Sequence, residues 1–158
     1  MARPGRSRHH QRVREAAPAR YGAALPALTG ILLDSDVVIE ALRGNARVAS
    51  EMERLVDDGI RTYCSAVSWA EVFAGVRPGE ETTVESFFHA RGEVAIDSLT
   101  GRRAGAYLLR YSKSHAVGIG DALIAAAAAT TGLRLWTLNR RHYPMDDIEF
   151  YESSIPAR

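Results

Sequence analysis

Cysteine is almost absent from the sequence, since Cys64 is the only one among 158 residues. A single cysteine can form neither an internal disulfide nor a thiolate zinc cluster, which excludes disulfide-stabilised and zinc-ribbon folds. Because Cys64 lies in an apolar segment with no histidine nearby in the sequence, we expect a buried core residue rather than a nucleophile. The shortage of cysteine also favours a reducing, cytoplasmic location.

Long apolar runs and the common nucleotide-binding motifs are missing as well. No stretch approaches the ~18 apolar residues of a membrane span, and the alanine-rich segment 122–129 indicates a buried helix. Gly118-Ile119-Gly120 begins like a dinucleotide-binding loop, but Leu123 stands where the third glycine is needed. The sequence has no Gly-x-x-x-x-Gly-Lys-Ser/Thr loop and no His-Glu-x-x-His, so nucleoside triphosphate and zinc-protease chemistry are not supported.

Charge is distributed unevenly along the chain, although the net charge is only +1. Residues 1–20 carry six arginines and one glutamate, a charge of +5, so the remaining 138 residues sum to −4. We place a basic extension at residues 1–28 and expect it not to pack, because it has few large apolar residues. Four interpretations stay open: a disordered tail, an extension from an upstream start codon, residues left from cloning, or an arm that binds nucleic acid.

The rest of the chain predicts one α/β domain at residues 29–152 and a short C-terminal tail at 153–158. Apolar strand-like segments alternate with amphipathic helical segments, and this alternation predicts a mainly parallel sheet covered by helices on both faces. The expected fold is therefore a three-layer α/β/α domain, with its site at the carboxyl ends of the strands. The predicted strands are 30–34, 60–65, 93–96, 133–138 and 148–151, and the predicted helices are 35–42, 46–58, 68–75, 80–90, 99–114 and 120–131.

Three acidic residues occupy places where a carboxylate is costly unless it is paired or bound to a cation. Asp34 ends an apolar strand, Glu71 lies among apolar residues of a helix, and Asp121 opens the alanine-rich helix. Each has another explanation: Asp34 and Asp121 can cap helices, and Glu71 can be the capping-box partner of Ser68. Since no matching buried lysine or arginine lies nearby in the sequence, three such acids together favour a shared divalent cation. Oxygen ligands suit Mg²⁺ or Mn²⁺, which activate water for phosphodiester hydrolysis.

Four segments taken together resemble the motifs of PIN domains, and the resemblance spans about residues 30–151. No segment is specific alone, but all four occur in the family's order and on the expected elements. The motifs are similar in particular to those of VapC toxins, which belong to type II toxin–antitoxin pairs. The segments are Leu32-Leu33-Asp34-Ser35-Asp36-Val37-Val38-Ile39, Ser65-Ala66-Val67-Ser68-Trp69-Ala70-Glu71-Val72, residues 118–126 and residues 135–144.

The resemblance implies a compact α/β/α domain with magnesium-dependent endoribonuclease activity, manganese being a possible substitute. It also implies an RNA substrate, a homodimer, no membrane association, and a cognate antitoxin whose C-terminal segment blocks the site. By position in the motifs, Asp34 and Asp121 would bind the metal. Glu71 would hold or orient the metal-bound water.

The fourth acid of the family pattern is missing from this sequence. Asn139 stands at the possible fourth corner, where it can position a water or a carboxylate, and His142 stands where an aspartate is common. We expect His142 to be a surface loop residue. Asp36 is expected to be a helix-start acid, which can also assist through a water. The departure leaves open whether one metal or two would bind.

Two other function classes remain open. A phosphate-accepting receiver domain needs a lysine near its last strand, but the only lysine, Lys113, lies in a predicted helix. A catalytically inactive PIN-fold interaction module is not favoured by the three acids, although the missing fourth acid allows it. Arg140 and Arg141 can contact RNA phosphates, and surface solvation explains them equally well.

Overall fold

The structure is a computed structural model, and it describes residues 28–157; most of the predicted basic extension lies outside the described residues. Strands and helices alternate along the chain, as the sequence predicts. In chain order the elements are β1 (Ile31–Leu33), α1 (Ser35–Leu42), α2 (Ala46–Asp57), β2 (Thr62–Ser65), α3 (Ala66–Phe73), α4 (Glu81–His89), β3 (Gly92–Val94), α5 (Ser98–His115), α6 (Ile119–Thr131), β4 (Arg134–Trp136) and a short 3-10 helix (Arg140–His142).

The four strands form one parallel sheet in the order β3-β2-β1-β4. Leu32 of the central strand β1 aligns with Tyr63 of β2 and with Leu135 of β4. Because the strands run in the same direction, their carboxyl ends meet at one edge of the sheet. The backbone N–H of Asp34, just after β1, donates to the carbonyl of Trp136 at the end of β4 (2.9 Å). The segments that follow β1 and β4 therefore lie side by side.

Helices cover both faces of the sheet, which confirms the three-layer α/β/α fold. Successive strand residues point to opposite faces, so each strand contributes to two cores. Ile31, Leu33, Cys64 and Trp136 join the core formed with α1 to α4. Leu32, Tyr63 and Leu135 join the core formed with α5 and α6. Cys64 is 1% exposed, so the prediction that it is core filler is confirmed.

The predicted strand at 148–151 does not form. Instead, Phe150 makes a single parallel bridge with Leu135, in which Leu135 donates to Glu149 (2.8 Å) and Tyr151 donates to Leu135 (2.9 Å). Only Leu135 of β4 exchanges backbone hydrogen bonds with this segment, so the pairing stays a single bridge. No helix within residues 28–157 is long and apolar enough to cross a bilayer.

The helix that carries Asp36 has the predicted bounds, and Asp34 is its N-cap. The helix that carries Glu71 begins two residues earlier than predicted, because β2 turns directly into α3, and its N-cap is Ser65 rather than Ser68. The Oγ of Ser65 accepts from the N–H of Ser68 at the third helical position (3.4 Å). Glu71 therefore lies inside α3 and is not the capping-box partner of Ser68.

Candidate active site

Asp34 is a buried carboxylate at the centre of the carboxyl edge, with 7% of its surface exposed. Its Oδ1 accepts from the N–H of Ser35 (2.7 Å), so it does cap α1. Its Oδ2 accepts from the hydroxyl of Tyr143 (2.8 Å). Burial raises the pKa of Asp34 to about 7, the negative charge of Asp36 adds to that shift, and these hydrogen bonds reduce it. The cap explanation alone does not account for a carboxylate held in so unfavourable a place.

Asp36 joins this cluster rather than facing away from it. Its carboxylate accepts from the N–H of Leu138 (3.1 Å to Oδ2) and from the hydroxyl of Thr137 (3.4 Å), both in the segment after β4. Burial raises the pKa of Asp36, the hydrogen bond from Leu138 opposes this, and the charge of Asp121 raises it further. The sequence indicated a helix-start acid that can assist through a water. It could not show the contact with residues 137–138, because that contact joins segments about a hundred positions apart.

Asp121 lies in the first turn of α6 and approaches the cluster from the other side. Its Oδ2 accepts from the N–H of Gly118 (3.0 Å), which makes it a capping residue as well. The Nδ1 of His142 lies 3.5 Å from the same oxygen, and the His142 side chain is 30% exposed. The expectation that His142 is a surface loop residue is therefore wrong, because the 3-10 helix after β4 turns it toward Asp121.

Tyr143 is the residue around which the three aspartates gather, and sequence reasoning missed it. It is 3% exposed, and its pKa is raised well above the usual range by burial and by the charges of Asp34, Asp121 and Asp36, in that order. The neutral hydroxyl of Tyr143 thus donates a hydrogen bond to the aspartate cluster, at a place where a positively charged side chain could otherwise balance the carboxylates. The only available signal was a tyrosine directly after His142 in the fourth motif.

Glu71 borders the cluster without joining its hydrogen bonds. It is exposed, on the side of α3 that meets α6. Its Oε1 lies directly against Cα of Gly120, so closely that a Cβ at that position would collide with the carboxylate. Gly120 precedes Asp121, so Glu71 stands beside the first turn of α6, at the mouth of the site.

Asn139 lies in the segment after β4, in contact with Thr137 and His142, which themselves contact Asp36 and Asp121. Its Nδ2 lies 3.3 Å from Nδ1 of His142, which in turn faces Asp121. Its Oδ1 is buried and has no hydrogen-bond partner among the residues described. A buried carbonyl oxygen without a donor costs free energy, and it is the type of group that a cation or a bound water satisfies.

The donor set of this site fits a hard divalent cation. It consists of the carboxylates of Asp34 and Asp36, whose pKa values are raised, the carboxylate of Asp121, and the orphaned amide oxygen of Asn139. Among the described residues, no lysine or arginine forms an ion pair with these three aspartates. Within residues 28–157, however, no three histidine, cysteine, aspartate or glutamate side chains are already placed to hold one ion. Asp34 is engaged by Tyr143 and Asp121 faces His142, so shared coordination requires these side chains to move.

Comparison with known proteins identifies the domain. The model of the PIN domain family matches residues 31–148, which contain every residue of the site described above. Two proteins of Mycobacterium tuberculosis are similar in sequence over 116 residues each. Ribonuclease VapC10 is 39% identical, covering 73% of this chain and 86% of its own length. Ribonuclease VapC19 is 34% identical, covering 72% of this chain and 92% of its own.

Solved structures show the same fold. The VapBC2 structure from Rickettsia felis, bound to a DNA fragment from its promoter, matches with a TM-score of 0.66 at 16% identity, covering 78% of this chain and 98% of the matched chain. A toxin–antitoxin complex from Klebsiella pneumoniae matches with a TM-score of 0.62 at 20% identity, and the match covers 78% of this chain and 99% of the matched chain. At these identities the likeness concerns the fold alone.

Proposed function

This chain belongs to the PIN-domain family, and we propose that it is a metal-dependent endoribonuclease of the VapC type, the toxin of a toxin–antitoxin pair. The observation that carries the proposal is the gathering of Asp34, Asp36 and Asp121 around Tyr143 at the carboxyl edge of the sheet. The sequence relatives at 39% and 34% identity are both ribonucleases by name. The substrate is RNA, and the reaction is hydrolysis of a phosphodiester bond.

The chain's residues divide the work of such a reaction. Asp34 and Asp121 would hold Mg²⁺ or Mn²⁺, with Asp36 and the Oδ1 of Asn139 completing the oxygen set. When bound, the metal supplies a Lewis acid and lowers the pKa of water. Glu71, exposed at the mouth of the site, would orient the attacking water and accept its proton. Tyr143 and backbone N–H groups hold Asp34 and Asp36 at the carboxyl edge of the sheet before a metal binds.

The first experiment measures RNA cleavage by the purified full chain. We expect cleavage with Mg²⁺, loss of cleavage in chelator, and loss in Asp121→Asn. Asp146→Asn is the matched control, because Asp146 is exposed and lies outside the cluster. Cleavage that persists both in chelator and in Asp121→Asn would contradict the metal mechanism. A wild-type chain that cleaves no RNA but binds a partner protein would instead be an inactive PIN-fold interaction module.

An antitoxin partner is part of the same proposal. Structural relatives include VapBC assemblies and one complex described as toxin–antitoxin. Expression of this chain alone should arrest growth, and co-expression of a small adjacent gene should restore it. Arrest that no neighbouring gene relieves would contradict the pairing without affecting the nuclease proposal.

The proposed assembly is a homodimer, as the family resemblance implies. Light scattering coupled to size-exclusion chromatography of the purified chain tests this directly. A mass equal to one chain at micromolar concentration would contradict it.

A further inference from the structure

The imidazole of His142 faces the carboxylate of Asp121 at the candidate active site. Its Nδ1 lies 3.5 Å from Oδ2 of Asp121, which is longer than the usual range of about 2.7–3.2 Å for a hydrogen bond from nitrogen to oxygen. This separation suits two ligands of one cation, since bonds of about 2.1 Å place the two donor atoms about 3.0–3.4 Å apart in octahedral or tetrahedral coordination. Both side chains are partly exposed, so a cation can reach them from solvent.

The contacts of Nδ1 of His142 within the protein conflict with each other. Nδ2 of Asn139, which can only donate, lies 3.3 Å from this nitrogen. Nδ1 therefore needs a lone pair to accept from Asn139, but it needs a proton to donate to Asp121. One ring nitrogen carries only one of the two, so the two contacts are not satisfied together. On the same amide, Oδ1 of Asn139 is buried and has no hydrogen-bond partner among the residues described.

A divalent cation resolves all three contacts at once. Rotation of the Asn139 amide by half a turn exchanges Nδ2 and Oδ1, so that the carbonyl oxygen faces His142. Oδ1 of Asn139, Nδ1 of His142 and Oδ2 of Asp121 then direct lone pairs toward a common point. A water molecule has only two hydrogens and can satisfy two of these lone pairs, whereas a cation satisfies all three.

We propose that His142 is a direct ligand of the active-site metal, together with Asp121 and Asn139, and that it makes the site prefer a transition-metal cation such as Mn²⁺ over Mg²⁺. Imidazole nitrogen suits transition metals, whereas Mg²⁺ is bound through oxygen ligands. The inference rests on the proposed metal-dependent function, and it adds to that function a nitrogen ligand and the class of metal.

Metal binding to the full-length chain is tested by electron paramagnetic resonance of Mn²⁺, which needs neither RNA nor turnover. Spin-echo modulation of bound Mn²⁺ detects a nitrogen nucleus attached directly to the metal, and we expect this coupling in wild type. His142→Gln should lose the coupling and bind Mn²⁺ about 10-fold more weakly, while its Mg²⁺ affinity, measured by competition, changes less than about 2-fold. His142→Asp should also lose the coupling but bind Mg²⁺ more tightly than wild type, since the new ligand is an oxygen.

His89→Gln is the matched control. His89 is exposed at the end of α4, close in sequence to the first residue of β3, and so lies toward the edge of the sheet opposite the site. The double variant His9→Gln/His10→Gln removes the two histidines of the N-terminal extension. Both controls should keep the nitrogen coupling and the affinities for Mn²⁺ and Mg²⁺.

Three results would overturn the assignment of His142. The first is wild type that binds no Mn²⁺, or binds it without nitrogen coupling, and this result does not depend on how well a variant folds. The second is nitrogen coupling that survives in His142→Gln. The third is an equal loss of Mn²⁺ and Mg²⁺ affinity in His142→Gln, which would mean that His142 only positions Asp121. Failure of the nuclease proposal looks different: the chain would cleave no RNA with either metal, whereas the nitrogen coupling and its dependence on His142 would remain measurable.

Discussion

The hydroxyl of Tyr143 donates a 2.8 Å hydrogen bond to Oδ2 of Asp34 across 109 positions of sequence. Tyr143→Phe removes this donor and leaves a buried carboxylate with one fewer partner. In chelator near neutral pH, we expect the free energy of unfolding to fall by about 1–3 kcal/mol. Urea denaturation measures the change.

Tyr107→Phe is the matched control for this substitution. The hydroxyl of Tyr107 also donates to a carboxylate, that of Asp147 (2.7 and 2.8 Å), but the Asp147 side chain is 39% exposed and also pairs with Arg103. Water can replace the lost donor there, so the control should cost clearly less. If Tyr143→Phe and Tyr107→Phe lose the same free energy of unfolding, then burial of Asp34 does not determine how much its hydrogen bond with Tyr143 stabilises the fold.

The raised pKa of Asp34 predicts how stability without metal varies with pH. The group titrates near 3.8 when exposed and at about 7 in the folded protein, so the folded state binds the proton more tightly. Its contribution to stability is full below about pH 4 and is lost as the pH rises through 7. Asp34→Asn keeps the shape of the side chain without its charge. The free energy of unfolding of the variant should therefore exceed that of wild type by about 2–4 kcal/mol near pH 8 in chelator, and by less near pH 5.

Magnesium should reverse this order of stability, so that wild type becomes more stable than Asp34→Asn near pH 8. A cation that binds the folded state stabilises it in proportion to the logarithm of its concentration above Kd. Melting curves of wild type should therefore shift upward with Mg²⁺ near pH 8, whereas those of Asp34→Asn should stay fixed. A parallel shift in both proteins would place the cation somewhere other than Asp34.

Gly120→Ala tests the position of Glu71 without touching an acid. The added Cβ collides with Oε1 of Glu71, which is the exposed end of a flexible side chain and can move away. Alanine in a helix gains about 0.5–1 kcal/mol over glycine, so the fold should be preserved. RNA cleavage should fall to the level of Glu71→Gln, because the carboxylate is displaced from the mouth of the site.

The double variant separates displacement of Glu71 from other effects. If Gly120→Ala acts only through Glu71, then adding Glu71→Gln should cause no further loss of cleavage. Multiplicative losses would mean that Gly120 contributes independently, for example by close approach of the RNA backbone. Gly105→Ala, at an open position of α5, controls for the general effect of the substitution.

Glu51 anchors the C-terminal segment to α2 and predicts an acid-sensitive stability. It is 4% exposed, and it accepts from Arg54 (2.7 Å), Tyr151 (2.6 Å) and Ser154 (2.8 Å). The hydrogen bond from Arg54, above all, lowers the pKa of Glu51 to about 2, and burial opposes this shift. The resulting stability is present above about pH 4.5 and is lost as the pH falls through 2.

Glu51→Gln should lower the free energy of unfolding by about 1–3 kcal/mol near pH 7. The difference from wild type should shrink near pH 3, because Glu51 of the unfolded chain binds a proton below about pH 4.5, whereas Glu51 of the folded chain keeps its charge down to about pH 2. Denaturant titrations at the two pH values measure both effects. Glu53→Gln, exposed on the same helix, is the control and should change little at either pH.

The sequence was sufficient to predict the layers of the fold, because strand and helix periodicities are local. The sequence also indicated Asp34 and Asp121 as candidate site residues, since a carboxylate at the boundary of an apolar segment can be recognised from the sequence. Tyr143 and the role of Asp36 were not predictable in this way. Both depend on how the segment after β4 turns back over β1, which residue spacing does not record. The same turn brings His142 to Asp121.

The placement of β4 beside β1 has a consequence for the order of events during synthesis. Asp34 leaves the ribosome before its partner Tyr143 and before the backbone groups that hold Asp36, because all of these follow β4. A growing chain that has completed β1, β2 and β3 still lacks one wall of the cluster. The cluster is therefore complete only once β4 and the segment after it are in place, so we expect a chain that stops before β4 to cleave no RNA.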